Sequence, residues 1–406
     1  MSGIFIVAAK RTPFGSFGGS LAHRSATQLG VDAVTAALAS GNVSPDLVHA
    51  VYFGNVIQTS ADAAYLARHV GLQAHCPVDT PALTINRLCG SGFETVVLGH
   101  QFLSLQQQQS QQHQSPAQVV IAGGTENMSQ APLVTYDARW GGVKLGHGLH
   151  LRDALWDGLT DSLAKSPMGV TAENLAKDYH ISRQDCDEYA IRSQQLWQAA
   201  HQAGVFEAEM APIQLHDNKK KTTKTLTTDE HPRPDSKLEK ISALPTVFDK
   251  EGVVTAANSS GICDGAGAVI LATEQAVTQH NLTPLCRVVG YGVAGCDPTR
   301  MGIGPVPAIH KALAMTGLSL SDMDRIEVNE AFAAQVLAVA KELKLDMDKT
   351  NTHGGAIALG HPLGASGSRI MAHLAHEFAA KPHHKYHIGA ACIGGGQGIA
   401  VILERA

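Results

Sequence analysis

Hydrophobic and polar positions along the chain fall into short apolar runs that alternate with stretches of helical period. The first run, Ile4-Phe5-Ile6-Val7-Ala8-Ala9, reads as a strand. A helical pattern around Ala33–Leu38 follows, then Gly41-Asn42-Val43-Ser44 and the strand-like Val51-Tyr52-Phe53, ending at Gly54-Asn55. Strands alternating with helical stretches predict an α/β fold with a mostly parallel sheet.

The same succession returns late in the chain. Lys311–Met315 runs into Gly317-Leu318-Ser319 and the strand-like Ile326-Glu327-Val328, ending at Asn329-Glu330. Thr84-Ile85-Asn86-Arg87-Leu88-Cys89-Gly90-Ser91-Gly92 leads into a helical stretch, Phe93–Leu105. Its counterpart, His361-Pro362-Leu363-Gly364-Ala365-Ser366-Gly367, leads into Ser368–Phe378. Val119–Gly124 pairs in the same way with Ile388–Cys392. Each match is weak alone, but three in one order predict two copies of a βαβ-rich unit. Ligands of open α/β sheets bind where strands end and helices begin. The repeated strand ends carry Cys89, Asn329, His361 and Cys392, which a pseudo-twofold packing of the halves would bring to one site.

Between the halves, roughly Gln130 to Thr255, the pattern changes. Ser182-Arg183-Gln184-Asp185 resembles a capping box, and Cys186, Tyr189, Ala190, Ser193, Trp197 and Ala200 recur at helical spacing as a candidate packed face. Lys219–Lys221 and the loop His231-Pro232-Arg233-Pro234 follow, and the whole stretch reads as an insertion capping the active face. The glutamine run Gln106–Gln114 reads as a flexible surface loop.

Composition adds mainly exclusions. A chain of 406 residues exceeds what one core holds, and a net charge of −5 gives no reason to expect nucleic acid or membrane surfaces. No apolar run is long enough to span a bilayer, and no signal-peptide or Arg-rich presequence precedes Ile4. Seven cysteines without a C-x-x-C pair argue against a disulfide framework and against a zinc site, so no metal is expected.

Chemistry then concentrates on a few positions. Cys89 stands at a strand-to-helix junction, where the helix N-terminus would lower its pKa from about 8.5. The small residues after it would admit a substrate carbonyl and leave backbone N–H groups free. Read alone, it is equally well a structural cysteine in a tight turn. His361, set among glycines, suits a base that takes the thiol proton, while His353 reads as a loop residue. Cys392 heads Cys-Ile-Gly-Gly-Gly-Gln-Gly between two runs that read as antiparallel strands. Three glycines there make sense where backbone amides must approach a ligand. Asn329 is either a helix N-cap before Ala331–Ala340 or a residue that holds a water or carbonyl oxygen.

These motifs together resemble the thiolases. Asn-Arg-Leu-Cys-Gly-Ser-Gly from Asn86, Asn-Glu-Ala-Phe-Ala from Asn329, the glycine-rich stretch from Gly354 to Gly367, and the Cys392 turn stand in that family's order. Ala-Ala-Lys-Arg-Thr-Pro-Phe-Gly from Ala8 and Met-Gly-Ile-Gly-Pro-Val-Pro-Ala from Met301 extend the likeness over the whole chain. It is strongest to the mitochondrial 3-ketoacyl-CoA group. The resemblance implies two duplicated βαβαβ-type halves in a five-layer αβαβα arrangement, with domains 1–275 and 276–406 and an inserted α-rich loop domain at 130–255.

The resemblance also implies roles. Cys89 would accept the acyl group, His361 would deprotonate it, and Cys392 would be the second acid/base. Asn329 would hold a water in one oxyanion hole; the N–H groups of Cys89 and Gly394 would form another. Arg233 and Ser236 would lie near the CoA nucleotide, Ser260 near the pantetheine arm, and Met168 and Phe332 along the thioester pocket. The implied reaction is CoA-dependent cleavage of 3-oxoacyl-CoA to acetyl-CoA and a shortened acyl-CoA, as in fatty acid β-oxidation. Coenzyme A is then a co-substrate, and no permanently bound cofactor is implied. A homodimer or homotetramer in the mitochondrial matrix is implied as well; cytoplasm is the alternative.

Two departures bear on substrate. Pro167 precedes Met168-Gly169 where acetoacetyl-CoA thiolases carry histidine, which leans away from the biosynthetic alternative. Ala257-Asn258-Ser259-Ser260-Gly261 replaces the usual Gly-Asn-Ala-Ser-Gly. A decarboxylating β-ketoacyl synthase would put a histidine-type partner at Cys392, and a silent CoA-binding scaffold would not need all these groups. Lys219–Lys221 is either a phosphate contact or a solvated face.

Overall fold

Two helices show how local sequence sets the elements. Ser25 accepts from the Gln28 N–H while the Gln28 side chain returns to the Ser25 N–H, closing a capping box that starts α1 (Ala26–Ser40). Ser182 and Asp185 repeat the device at Arg183–Gln202, and the six residues expected on its packed face are all buried.

The structure is a computed structural model and describes residues 3–109, 117–136, 138–217 and 221–406. The strands that matter are β1 (Ile4–Arg11), β2 (Ala50–Gly54), β3 (Ala82–Ile85), β4 (Val119–Asn127), β5 (Cys263–Thr273), β6 (Cys286–Gly295), β7 (Arg325–Val328), β8 (Tyr386–Ile393) and β9 (Gln397–Arg405). Besides α1, the helices are α2 (Ser91–Gln109), α3 (Met168–Asp178), α4 (Arg183–Gln202), α5 (Pro305–Thr316), α6 (Ala333–Leu343) and α7 (Leu363–Ala380). The glutamine run is therefore helical as far as Gln109; the rest of it, 110–114, lies outside the described residues.

The strands form one ten-stranded sheet in the order β7-β8-β9-β6-β1-β5-β4-β2-β3, with the short strand Gly15–Ser16 added on β5. The order is the same read outward from the β6–β1 pair: β9, β8 and β7 on one side match β5, β4 and β2 on the other. An isolated parallel bridge between Ile326 and Thr350 stands where β3 stands in the first half. The duplication read from the sequence is thus a duplication of topology.

The sheet is mixed rather than mostly parallel. Parallel pairing is confined to β3–β2, β2–β4 and β7–β8. Every other neighbour along the path is antiparallel. Helical crossovers enforce parallel strands, but β8 and β9 are joined by a tight glycine turn, and β1 comes from the start of the chain to lie between β5 and β6.

Three apolar cores separate five layers. One lies between α1 and the first half of the sheet, around Leu29, Val34 and Phe53. Another joins α2 and α7 to both halves through Phe93, Ile370, Phe378 and Ile393. The last packs α5 on the second half through Ile309, Leu313 and Ile402. Helices α2 and α7 are therefore the central layer, and Cys89 and His361 stand two residues before their first turns.

Candidate active site

Backbone contact brings those two helix starts together. A Cβ on Gly92 would meet the Ser368 nitrogen at 2.5 Å, and one on Gly367 would meet the Phe93 nitrogen at 2.2 Å. Only glycine permits this crossing. Gly92, among the small residues after Cys89, is thus needed for helix contact.

The turn holding Cys89 is tightly wired. Leu88 has φ +45°, a left-handed conformation costly for a branched side chain. Asn86 Oδ1 accepts the Leu88 N–H at 2.9 Å, and the Ser91 hydroxyl accepts the Arg87 N–H at 2.9 Å and donates to the Leu88 carbonyl at 2.7 Å. Cys89 is half-buried, and the backbone N–H groups of Gly394 and of Cys89 itself favour its thiolate form. Burial pushes the thiol up to about 11 against those two N–H groups, with Glu126 adding a smaller push. The lowered pKa expected from the helix start is not what this site does: removal from water outweighs the two donors.

His361 follows Gly360, whose φ is +100°, and precedes Pro362, the N-cap of α7. Its Nδ1 lies 2.5 Å from the Ser366 hydroxyl, which itself donates to the Pro362 carbonyl at 3.1 Å. Ser366 therefore accepts Nδ1–H and leaves Nε2 as the basic nitrogen. Asn329 Nδ2 lies 3.3 Å from that Nε2. Burial, with Arg369 second, holds the imidazole down at about 3, so it is neutral across the physiological range.

Asn329 is not a helix N-cap: α6 begins at Ala333 with Phe332 in the cap position. Its Oδ1 is buried and has no partner among the described residues. Cys392 is fully buried on β8, and the turn after it carries Gly395 and Gly396 at φ +80°. It packs with Met301, Ala331, Met168 and Phe332. Burial raises this thiol well above its ordinary value, and negative charge on Cys89 raises it further.

A cavity of about 430 Å³ opens onto this group, lined by Cys89, His361, Met168, Phe332 and Ser260 among others. Cys392 lies just behind it, beneath residues that line it. Arg233 and Ser236 are elsewhere, in a loop held by the Arg233 N–H on Gln194 Oε1 at 2.8 Å and the Ser236 hydroxyl on the Arg233 carbonyl at 2.7 Å. That loop touches the rim through His231, which abuts Gly261. Lys219 and Lys220 lie outside the described residues.

Residues 4–275 match the thiolase N-terminal domain and residues 282–405 the thiolase C-terminal domain. The chain belongs to the thiolase family. A relative described as mitochondrial 3-ketoacyl-CoA thiolase from Bos taurus is 58% identical over 404 residues, covering 100% of this chain and 98% of that protein. A crystal structure of human mitochondrial 3-ketoacyl-CoA thiolase superposes with a TM-score of 0.95 at 57% identity, covering 100% of this chain and 99% of that one. The same human protein in complex with CoA gives 0.94 at 57% identity, covering 100% of this chain and 98% of that one. The fold is the thiolase fold.

Two residues of this thiolase site were not singled out by sequence reasoning. Ser366 sits in a quoted motif, and its spacing of five from His361 across a helix start is the available signal. Glu126 gives none: it lies on β4, fully buried, and becomes meaningful only when the halves meet. Its carboxylate accepts from the N–H groups of Val56, Ile57 and Gly364 and from Asn55 Nδ2 at 2.9–3.1 Å, tying the end of β2 to the start of α7. Burial pushes it up to about 7 against these donors. Glu126→Gln turns an amide NH₂ toward two of the donors, so unfolding in urea is expected to show a loss of about 2–3 kcal/mol. An unchanged midpoint would mean the carboxylate is not the tie described.

Proposed function

We infer that this thiolase is a 3-ketoacyl-CoA thiolase, an acetyl-CoA C-acyltransferase that cleaves 3-oxoacyl-CoA with free CoA. The observation that carries the reading is the Cys89 thiol sharing one apolar cavity with the neutral His361 imidazole while a second thiol, Cys392, lies directly behind. The named relatives supply the substrate class.

In this reading Cys89 gives its proton to His361 Nε2 as the sulfur attacks the 3-oxo carbon. A thiol held near 11 and an imidazole held near 3 favour the uncharged pair at rest, so the proton moves only as the new bond forms. The C2–C3 bond breaks, Cys392 protonates the departing enolate, and acetyl-CoA leaves. The thiol of free CoA then attacks the acyl-Cys89 thioester, its proton restoring Cys392, and His361 returns its proton to the Cys89 sulfur as the acyl group leaves on CoA. A sulfur serves both halves because it is a strong nucleophile and a workable leaving group.

Asn329 Nδ2 and a water held by it would face one developing oxyanion. The N–H groups of Cys89 and Gly394 would face the thioester oxygen. Ser260, Met168 and Phe332 would line the thioester arm, with Arg233 and Ser236 toward the nucleotide at the rim. The chain would be organised as domains 1–275 and 276–406, with 130–255 inserted in the first. Relatives named as mitochondrial support a mitochondrial matrix location, and no helix among the described residues is long and apolar enough to cross a membrane.

The test is direct. Purified protein should consume 3-oxoacyl-CoA only with free CoA present, producing one acetyl-CoA per turn. Without the histidine of short-chain enzymes before Met168, kcat/KM should be retained at six carbons and beyond. Turnover restricted to the four-carbon substrate would instead support the biosynthetic acetoacetyl-CoA reading.

A further inference from the structure

Away from this cavity, three side chains with metal-ligand atoms converge. One such atom from each of His353, His373 and Glu377 lies within 4.8 Å of the other two. His373 and Glu377 stand four residues apart on α7 and are both 4% exposed. Half-buried His353 comes from the loop before Gly355. The cysteine spacing that argued against zinc does not bear on this set, which contains no cysteine.

The donor atoms are oriented for ligation. His353 Nδ1 is 2.9 Å from His373 Nε2. On the far side of its ring, His373 Nδ1 meets Glu209 Oε2 at 2.7 Å, and Glu209 is in turn held by Arg11 Nε at 2.6 Å. A carboxylate behind an imidazole in this way fixes the tautomer, so Nε2 can present a lone pair, as in many metal sites. Glu377 Oε1 is paired with Arg325 Nε at 2.5 Å, while its Oε2 is buried with no partner among the described residues. That orphan acceptor is the second, independent sign of a missing ligand.

We propose that His353, His373 and Glu377 bind a divalent transition cation of the zinc type, with a fourth position open to water on the His353 side. Two imidazole nitrogens and one carboxylate oxygen suit such an ion, whose ligand distances of about 2.0–2.2 Å place the donor atoms roughly 3.3 Å apart. The two rings open by a few tenths of an ångström, and rotation of the Glu377 carboxylate closes the third side. The ion joins the middle of α7 to the loop that leads into His361. It takes no part in the reaction and stiffens the frame that carries the base. The rival occupant of the same space is a proton shared between the two rings.

The probe is zinc ion, titrated against a chromophoric chelator into full-length protein stripped with EDTA and dialysed. One zinc per chain is expected, and cobalt(II) in its place should give a spectrum without a thiolate-to-metal charge-transfer band. His353→Ser, a change outside the active site, should weaken zinc about 100-fold or more while leaving thiolysis intact. His353→Asp, which restores an oxygen donor at that point, should recover part of the affinity. Absence of stoichiometric zinc leaves the proton as occupant and overturns the proposal. Equal affinity in His353→Ser, or a thiolate band placing the ion at Cys89 and Cys392, overturns it as well.

Discussion

Cys89→Ala is expected to lower kcat for CoA-dependent thiolysis by at least ~10⁴-fold with the fold intact. Among the described residues lining the cavity, Cys89 is the one cysteine, and it shares the lining with His361. Cys392 cannot replace it, because it is fully buried behind the lining and its thiol is held well above its ordinary value. Cys89→Ser is expected to be nearly as damaging. The hydroxyl occupies the same place, but an alkoxide forms far less readily than a thiolate and leaves poorly when CoA must displace it. Initial rates with saturating CoA provide the measurement, with circular dichroism as the folding check. Activity within tenfold of the parent would remove Cys89 from the mechanism.

Cys392→Ala should divide the reaction rather than abolish all of it. A buried thiol kept protonated is an acid suited to delivering a proton to an enolate, and losing a positioned acid costs about 10²–10⁴-fold. Overall thiolysis should fall by about 10³-fold, and exchange of the acetyl-CoA methyl protons with deuterated water should fall with it. Transfer of a simple acyl group from acyl-CoA to labelled CoA involves Cys89 but no enolate, and should stay within about tenfold. Equal losses in both exchanges would make Cys392 a structural residue of the β8 turn.

What was legible in the chain depended on whether the chemistry was local. Cys89, His361 and Cys392 stand in long motifs at repeated strand ends, so residue type and setting together marked them. The duplication was legible for the same reason, since the repeat is a repeat of sequence order. Strand direction was not: β4 and β5 are neighbours joined through more than a hundred residues of chain, and alternation of elements carries no sense of direction. Nor was the protonation of Cys89, where the helix start is a local feature and burial is a property of the assembled halves. Glu126 and the His353 group belong to the same class, because their partners come from the other half of the chain or from the insertion. Arg233 and Ser236 were placed by likeness alone, and the structure sets them beside the cavity rather than in it.

The central claim is that Cys89 carries the acyl group, and it can be observed without turnover. The enzyme is mixed with 3-oxoacyl-CoA in the absence of free CoA, quenched in acid, and read by intact mass and peptide mapping. One acyl group per chain should appear on Cys89, matched by one acetyl-CoA released, and added CoA should remove it. Acetyl-CoA released with no acyl group on the protein, or an acyl group on Cys392 or any other residue, would contradict the account.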